Sequence, residues 1–267
     1  MSYSYELEYR PLMSDNHKEK STFGFKQVDS EEKRGLVDGV FDAVSENYDL
    51  MNDFLSFGIH RLWKRIALEI AEIRPNYKIL DLAGGTGDLI RLISPKISQE
   101  GVLILSDINQ SMLSLGRDRL IDQGVNNFLS VQLDAQNIPF SDDYFDLITI
   151  AFGLRNVTNK ENALNSILRC LKPGGKLVIL EFSKPENEMF REIYDLYSFE
   201  VIPKIGEWVA GSEESYRYLA ESIRMHPNQE ELMKIMEQVG FKECSYSNLT
   251  NGVVSVHSGK KAGLAND

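Results

Sequence analysis

At 267 residues the chain is long enough to bury a full hydrophobic core, most simply as one large α/β domain. Its 29 basic and 40 acidic side chains leave a net charge of −11, which repels phosphate backbones and disfavours RNA or DNA as a substrate. A hydrophobic content of 42% fits a soluble globular protein, and no apolar run approaches the roughly 18–20 residues of a membrane span.

Met1–Lys20 is polar, carries both signs of charge and has little periodicity, so residues 1–21 read as a flexible arm. The N-terminus lacks the apolar centre of a signal peptide. Thr22–Val28 differs, with Phe23 and Phe25 flanking Gly24, and is expected to dock on the domain or cover a site. Glu31–Asn52 is predicted helical, with Leu36, Val40 and Val44 at four-residue spacing. The next helix carries Leu62, Ile66, Ile70 and Ile73 and stops before Pro75. Residues 22–73 therefore read as a helical cap ahead of the first strand of the core. Trp63 is expected to anchor helix packing; Tyr48 and His60 are equally readable as pocket-lining or as packing residues.

Lys78–Asp88, K-I-L-D-L-A-G-G-T-G-D, is the stretch around which the rest of the chain is organised. A short buried strand carries the carboxylate Asp81 near its end, a turn of small residues succeeds it, and a helix opens at Asp88. Such a turn admits a ligand to the main chain at the carboxyl edge of a parallel sheet. Gly85-Thr86-Gly87 lacks the later glycine of the dinucleotide pattern, because Ile90 stands there. An acidic strand end before a G-x-G turn resembles the first motif of S-adenosylmethionine-dependent methyltransferases, with Ala83 where that superfamily usually has glycine.

Strands and helices then alternate: Val102–Leu105, a helix over Ser111–Gln123, Leu129–Leu133, Phe145–Phe152, a helical stripe of Leu164, Ile167, Leu168 and Leu171, a Pro173-Gly174-Gly175 turn, and Lys176–Phe182. This order implies βαβ units, a parallel sheet and helices on both faces. Residues 183–227 break it; they are rich in Phe, Tyr and Trp and read as a helical insertion on the substrate side. Asn228 with Glu231 resembles a helix cap, Gly240 ends that helix, and Thr250-Asn251-Gly252 joins two strand candidates as a hairpin. The expected architecture is α/β: a Rossmann-like, seven-stranded, mostly parallel sheet with a late antiparallel hairpin strand. Residues 78–182 form the cofactor-binding core, 228–260 the final helix and hairpin, and 261–267 a tail.

Asp107 ends the second core strand, where a carboxylate can accept hydrogen bonds from both ribose hydroxyls. Asp134 ends the third, placed to meet an adenine amino group, with Ala135 following. Carboxylates at three successive strand ends favour a nucleoside-bearing ligand over solvated loop ends. The thiols Cys170 and Cys244 and the dispersed His17, His60, His226 and His257 form no metal-ligand spacing.

Further stretches are more specific: Phe23-Gly24-Phe25, Tyr48–Asp53, Ser56–Lys64, Phe152-Gly153-Leu154-Arg155-Asn156-Val157, Leu180–Pro185 and Tyr216–Ile223. With the glycine turn they resemble the ubiquinone/menaquinone biosynthesis C-methyltransferase family in its bacterial form, over about residues 22–260. One departure is Ala151, where the family often has a serine near the cofactor. The resemblance implies S-adenosyl-L-methionine as cofactor, held by Asp81, Gly85, Thr86, Gly87, Asp107, Asp134, Ala135 and Ala151. It implies methyl transfer to a ring carbon of a polyprenylated quinol, either 2-polyprenyl-6-methoxy-1,4-benzoquinol or demethylmenaquinol. It also implies a cytoplasmic protein that meets its substrate at the inner membrane surface or through quinone-biosynthesis partner proteins, with a homodimer left open and no metal. A ring carbon gains nucleophilicity when the neighbouring hydroxyl loses its proton. Arg155 can hold the resulting phenolate but is a poor base. Asn156 can orient a hydroxyl or a water, and the base stays open between that water, His60, Tyr48 and a carboxylate. A non-catalytic, cofactor-binding scaffold subunit is the alternative from another class, and a nicotinamide oxidoreductase a third.

Overall fold

The computed structural model describes residues 20–44, 56, 58–187, 200 and 213–263. Strands β1 (Lys20–Phe23) and β2 (Lys26–Asp29) form an antiparallel hairpin, followed by helices α1 (Ser30–Val44) and α2 (His60–Ile70). The core then runs β3 (Lys78–Leu82), α3 (Asp88–Ile93), β4 (Val102–Asp107), α4 (Gln110–Asp122), β5 (Leu129–Gln132) and β6 (Phe145–Ala151). It continues with α5 (Lys160–Cys170), β7 (Leu171–Phe182), α6 (Glu213–Met225), α7 (Gln229–Val239), β8 (Lys242–Leu249) and β9 (Val254–Lys260).

The main sheet has seven strands in the order β5-β4-β3-β6-β7-β9-β8. Pairings from β5 through β7 are parallel, and β9 enters antiparallel between β7 and β8. Strand β3 is flanked by β4 on one side and β6 on the other, so the chain reverses its direction of travel across the sheet there. In open α/β sheets, ligands bind at the carboxyl ends of the strands beside this switch point. β3 is buried on both faces. Ile79 packs with Trp63, Leu68 and Ile90 on one side, and Leu80 and Leu82 with Ile148, Leu164 and Ile167 on the other. That arrangement reflects the two-residue period of a strand covered by helices on both sides. The capping box of Asn228 and Glu231 opens α7 as the residues suggest, and Gly240 closes it.

Several expectations are corrected. Thr22–Val28 is not part of a helical cap but lies in the β1–β2 hairpin, which docks by stacking Phe23 on Tyr218 at 4.2 Å between ring centroids. The buried face of α1 is Val37 with Lys33, while Leu36 is exposed. On α2 the buried residues are His60, Trp63, Lys64, Ala67 and Leu68, while Leu62 is exposed. The apolar pattern places both stripes one position out of phase because an amphipathic lysine can bury its stem and look polar in the pattern. Pro173-Gly174-Gly175 sits inside β7, where the register jumps from Phe145 opposite Leu171 to Leu147 opposite Lys176. Tyr48–Asp53 and most of the insertion, including Phe190, Tyr194, Tyr197, Phe199 and Trp208, lie outside the described residues; Tyr216 and Tyr218 are buried on α6. Among the described residues no helix is long and apolar enough to cross a membrane.

Candidate active site

The turn after β3 is shaped by contacts that are remote in sequence. Ala83 takes a left-handed backbone (φ 49°), which a non-glycine residue adopts reluctantly. Its methyl has room because Gly153, across the edge on the β6 loop, has no side chain: a Cβ there would lie 2.4 Å from that of Ala83. Gly116 on α4 plays the same part under the next residue, since its Cβ would stand 2.1 Å from the Gly85 carbonyl oxygen. Asp81 lies beneath the turn, 1% exposed, with Oδ1 accepting from the Thr149 hydroxyl at 2.7 Å. Burial pushes its carboxyl up to about 7, against the Thr149 hydrogen bond and the Lys64 charge. Lys64 itself pairs with Asp88 at 2.6 Å, across the start of α3.

At the end of β4, Asp107 accepts the Gly85 N–H on Oδ2 and the Asn109 N–H on Oδ1, both at 2.9 Å. These bonds tie the carboxylate to the glycine turn and fix its orientation, while each oxygen keeps a further lone pair. Asp134 accepts the Gln136 N–H at 2.9 Å and faces Arg34 of α1 at 3.8 Å. Both aspartates line a cavity of about 350 Å³ with Ala83, Gly85, Ile108, Met112, Leu133, Ala135, Gly153 and Asn156, closed on its outer side by α1 through Arg34, Val37 and Phe41. That volume lies within the usual range of small-molecule sites. Apolar walls with carboxylate acceptors at two strand ends fit an adenosine bearing ribose hydroxyls and an amino group, so the residues present suit S-adenosyl-L-methionine.

Burial also pushes Asp107 up to about 6, against the N–H groups that Asn109 and Gly85 donate to it. For Asp107 and Asp81 alike, the folded value stands above the ordinary 3.8. Their stabilising contribution is therefore complete below about pH 4 and is lost as the pH rises through about 6 and 7. Ribose hydroxyls held by Asp107 would donate to its ionised form, so cofactor binding is expected to work in the opposite sense. Affinity for S-adenosyl-L-methionine is expected to be level above neutrality and to fall about tenfold per pH unit well below the Asp107 value. Calorimetric titration from pH 8 to pH 5 checks this; a pH-independent affinity would remove Asp107 from the ribose contact.

Beyond β6, Phe152 also has a left-handed backbone (φ 57°). Its ring is gripped by Phe182 at 4.9 Å and Trp63 at 6.3 Å, and Trp63 Nε1 donates to Thr250 Oγ1 at 2.9 Å. Leu154–Asn156 forms a short 3-10 turn. Within it Arg155 is buried against Glu181: the guanidinium donates to Oε1 at 2.9 Å and the backbone N–H to Oε2 at 3.1 Å. A second hydrogen bond joins the same guanidinium nitrogen to the Phe152 carbonyl oxygen, while Nε has no partner. Asn156 faces the cavity, and its side-chain oxygen accepts from Tyr218 at 3.0 Å. Burial pushes that tyrosine up to about 12, so it remains a donor.

Of the residues singled out from sequence, Gly85, Asp107, Asp134, Ala135 and Asn156 meet at this cavity, whereas Asp81, Thr86, Gly87, Ala151, Arg155 and His60 are not part of its lining. Asp81 supports the turn from below, and Ala151 packs against the core instead of facing the cofactor space. His60 is buried at the start of α2, its N–H donating to Ser56 Oγ at 3.3 Å. Tyr48 lies outside the described residues. Sequence reasoning assigned no role to Glu181, Lys33 or Gly116. Glu181 lies inside the Leu180–Pro185 stretch and is detectable there as the one acid in an apolar strand. Lys33 donates to Ser21 and to the Val157 carbonyl, tying α1 to the hairpin and the β6 loop; burial, then the charge of Lys160, lowers it to about 8.

A family model described as the ubiE/COQ5 methyltransferase family matches residues 26–261. A curated relative from Shewanella pealeana, "Ubiquinone/menaquinone biosynthesis C-methyltransferase UbiE", is 54% identical over 93% of this chain and 100% of its own length. Among solved structures, a SAM-dependent methyltransferase from Aquifex aeolicus superposes with a TM-score of 0.59 at 15% identity, covering 80% of this chain and 98% of that one. Phosphoethanolamine N-methyltransferase 2 from Haemonchus contortus, solved with S-adenosyl-L-methionine, gives 0.56 at 14%, over 75% of this chain and 52% of its own. At such identities these two show the shared fold.

Proposed function

The chain belongs to the ubiE/COQ5 methyltransferase family, an S-adenosylmethionine-dependent enzyme family, and from that premise we propose that it methylates a ring carbon of a polyprenylated quinol. Its relatives' names carry ubiquinone/menaquinone biosynthesis C-methylation, and the substrates proposed within that class are 2-polyprenyl-6-methoxy-1,4-benzoquinol or demethylmenaquinol. The observation that supports it best is the cavity at the switch point, where two strand-end carboxylates stand on one wall and Asn156 on another.

The cofactor supplies an activated methyl group on a sulfonium. Asp107 receives the ribose hydroxyls and Asp134 the adenine amino group, with Ala135 beside it, while Gly85 lets the ligand approach the main chain. Asp81, Thr86 and Gly87 maintain the turn. Aligning donor and acceptor in a closed site can lower a barrier by roughly 7–11 kcal/mol. The acceptor ring needs electron density at carbon, and the unpaired Arg155 Nε–H is the donor assigned to its oxygen as negative charge develops. The pair with Glu181 holds that fork in place. Asn156, oriented by Tyr218, positions the ring hydroxyl or a water. The isoprenoid tail requires delivery from a bilayer or a partner protein, and the anionic chain argues for apolar rather than electrostatic contact with that surface.

The purified protein, given S-adenosyl-L-methionine and short-chain quinols under reducing conditions, is expected to yield a product one methyl group heavier by mass spectrometry. Cofactor binding with no methylated product from either ring would instead favour a scaffold role.

A further inference from the structure

The β1–β2 hairpin is far in sequence from the strand ends that line the cavity, yet its contacts lead there. Gly24 at its tip has a left-handed backbone (φ 57°), and a Cβ there would stand 2.1 Å from Glu221 Oε2. Without a side chain at Gly24 the turn can lie close against α6, where the Phe25 N–H donates to that carboxylate oxygen at 3.1 Å. On the other side of Phe23, Ser21 Oγ donates to the carbonyl of Thr158, a cavity residue, at 3.4 Å. Between these two anchors Phe23 stacks on Tyr218, with 4.2 Å between ring centroids and 15° between the ring planes. Tyr218 is 5% exposed, and its hydroxyl donates to Asn156 Oδ1 at 3.0 Å. Asn156 lines the cavity, so three side chains in contact lead from the hairpin to the site.

The two ends of an amide project in different directions. With Oδ1 bonded to Tyr218, Nδ2 is the end of Asn156 left for a ligand, and it has no hydrogen bond among the described residues. Nδ2 can only donate. Its match is an acceptor, and a ring oxygen becomes a stronger acceptor as it turns anionic. Tyr218 therefore decides which end of the amide the ligand meets. A tilt of its ring would carry the hydroxyl away and free the amide to turn over, and a stacked ring opposes that tilt. We infer that Phe23 is a positioning residue for methyl transfer: by stacking on Tyr218 it keeps the N–H donors of Asn156 turned to the ring oxygen. The inference rests on the quinol reading above and deepens it, because it makes the N-terminal hairpin part of the reaction site.

The test is steady-state kinetics at saturating S-adenosyl-L-methionine with a short-chain quinol. Tyr218→Phe keeps the stack and loses the hydroxyl, and kcat is expected to fall about tenfold to a hundredfold, as for a hydrogen bond that serves a charged group. Phe23→Leu loses the stack, and kcat should fall about twofold to tenfold, the worth of an aromatic pair. Phe23→Tyr restores the ring and should restore kcat; Phe23→Ile replaces Phe23→Leu if the latter does not fold. The double variant Phe23→Leu/Tyr218→Phe should match Tyr218→Phe, because Phe23 acts through the hydroxyl. A hairpin that merely supports α1 would instead raise the cofactor's dissociation constant and leave kcat at saturation intact. That result, or multiplied losses in the double variant, overturns the inference. A second readout needs no turnover. The side-chain amide signal of Asn156 in ¹⁵N-asparagine-labelled protein, identified by its loss in Asn156→Ala, should shift in Phe23→Leu and return in Phe23→Tyr. A signal unmoved in Phe23→Leu overturns the positioning. If the unmodified protein methylates neither ring, the quinol reading fails, and the amide signal alone decides whether Phe23 sets Asn156.

Discussion

Replacing Arg155 with alanine is expected to lower kcat for quinol methylation by about 10²–10³, the loss typical of one donor to a developing oxyanion. The effect belongs to kcat because the oxygen becomes anionic only on the way to the transition state. Cofactor affinity should scarcely change, since Asp107 and the glycine turn are separate from Arg155. The structure adds a complication absent from the sequence. Arg155→Ala strands the Glu181 carboxylate, which is 1% exposed, so the variant also loses stability. Arg155→Ala combined with Glu181→Gln removes both charges and isolates the chemical effect. Arg155→Lys keeps a cation for Glu181 but lacks the planar fork, and should retain part of the activity. Steady-state kinetics on the three proteins, beside a cofactor titration of each, is the measurement. A raised KM at unchanged kcat would mean uniform substrate binding, and near-normal kcat in the folded double variant would remove Arg155 from the mechanism.

Glu181→Ala is expected to cost about 3–5 kcal/mol of stability, the scale of breaking a buried ion pair from one side. Glu181 accepts three hydrogen bonds, from the Arg155 guanidinium, the Arg155 N–H and the Phe182 N–H at 3.0 Å. Without it the guanidinium stays buried over the Phe182 ring, 5.6 Å from its centroid, with the Phe152 carbonyl as its remaining acceptor. Glu181→Gln preserves the shape and two acceptor contacts and should cost less. Urea denaturation of the cofactor-free proteins measures both. A loss below about 1 kcal/mol for Glu181→Ala would show that Arg155 can swing out to solvent, in which case Glu181 does not hold the fork in place.

Local chemistry makes much of the fold readable from the chain alone. Strands β3, β4, β6 and β7 are short apolar runs, each followed by small or polar residues, and their spacing dictates a parallel sheet. Asn228, Gly240 and Asn251-Gly252 announce their cap, stop and hairpin because each acts on its own neighbours along the chain. Asp107 and Asp134 are legible for the same reason: a carboxylate at a strand end in this topology must lie at the binding edge. The hairpin of β1 and β2 is not, because its stability comes from Phe23 stacking on Tyr218, a contact no local pattern contains.

By itself, the sequence determined the α/β architecture, since the alternation of strands and helices is set by local periodicity, and its specific motifs carried the resemblance to the family. Which groups touch across the carboxyl edge of the sheet was decided by tertiary structure alone. The methyl of Ala83 is tolerated because Gly153 faces it, and the Gly85 carbonyl has room because Gly116 carries no side chain. Arg155 reads from sequence as a cation able to hold a phenolate, yet the fold commits one of its nitrogens to Glu181 and leaves Nε unpaired. The reason is physical: a buried charge is stable only where another element supplies its counter-charge, and that element is brought close by packing, not by sequence distance.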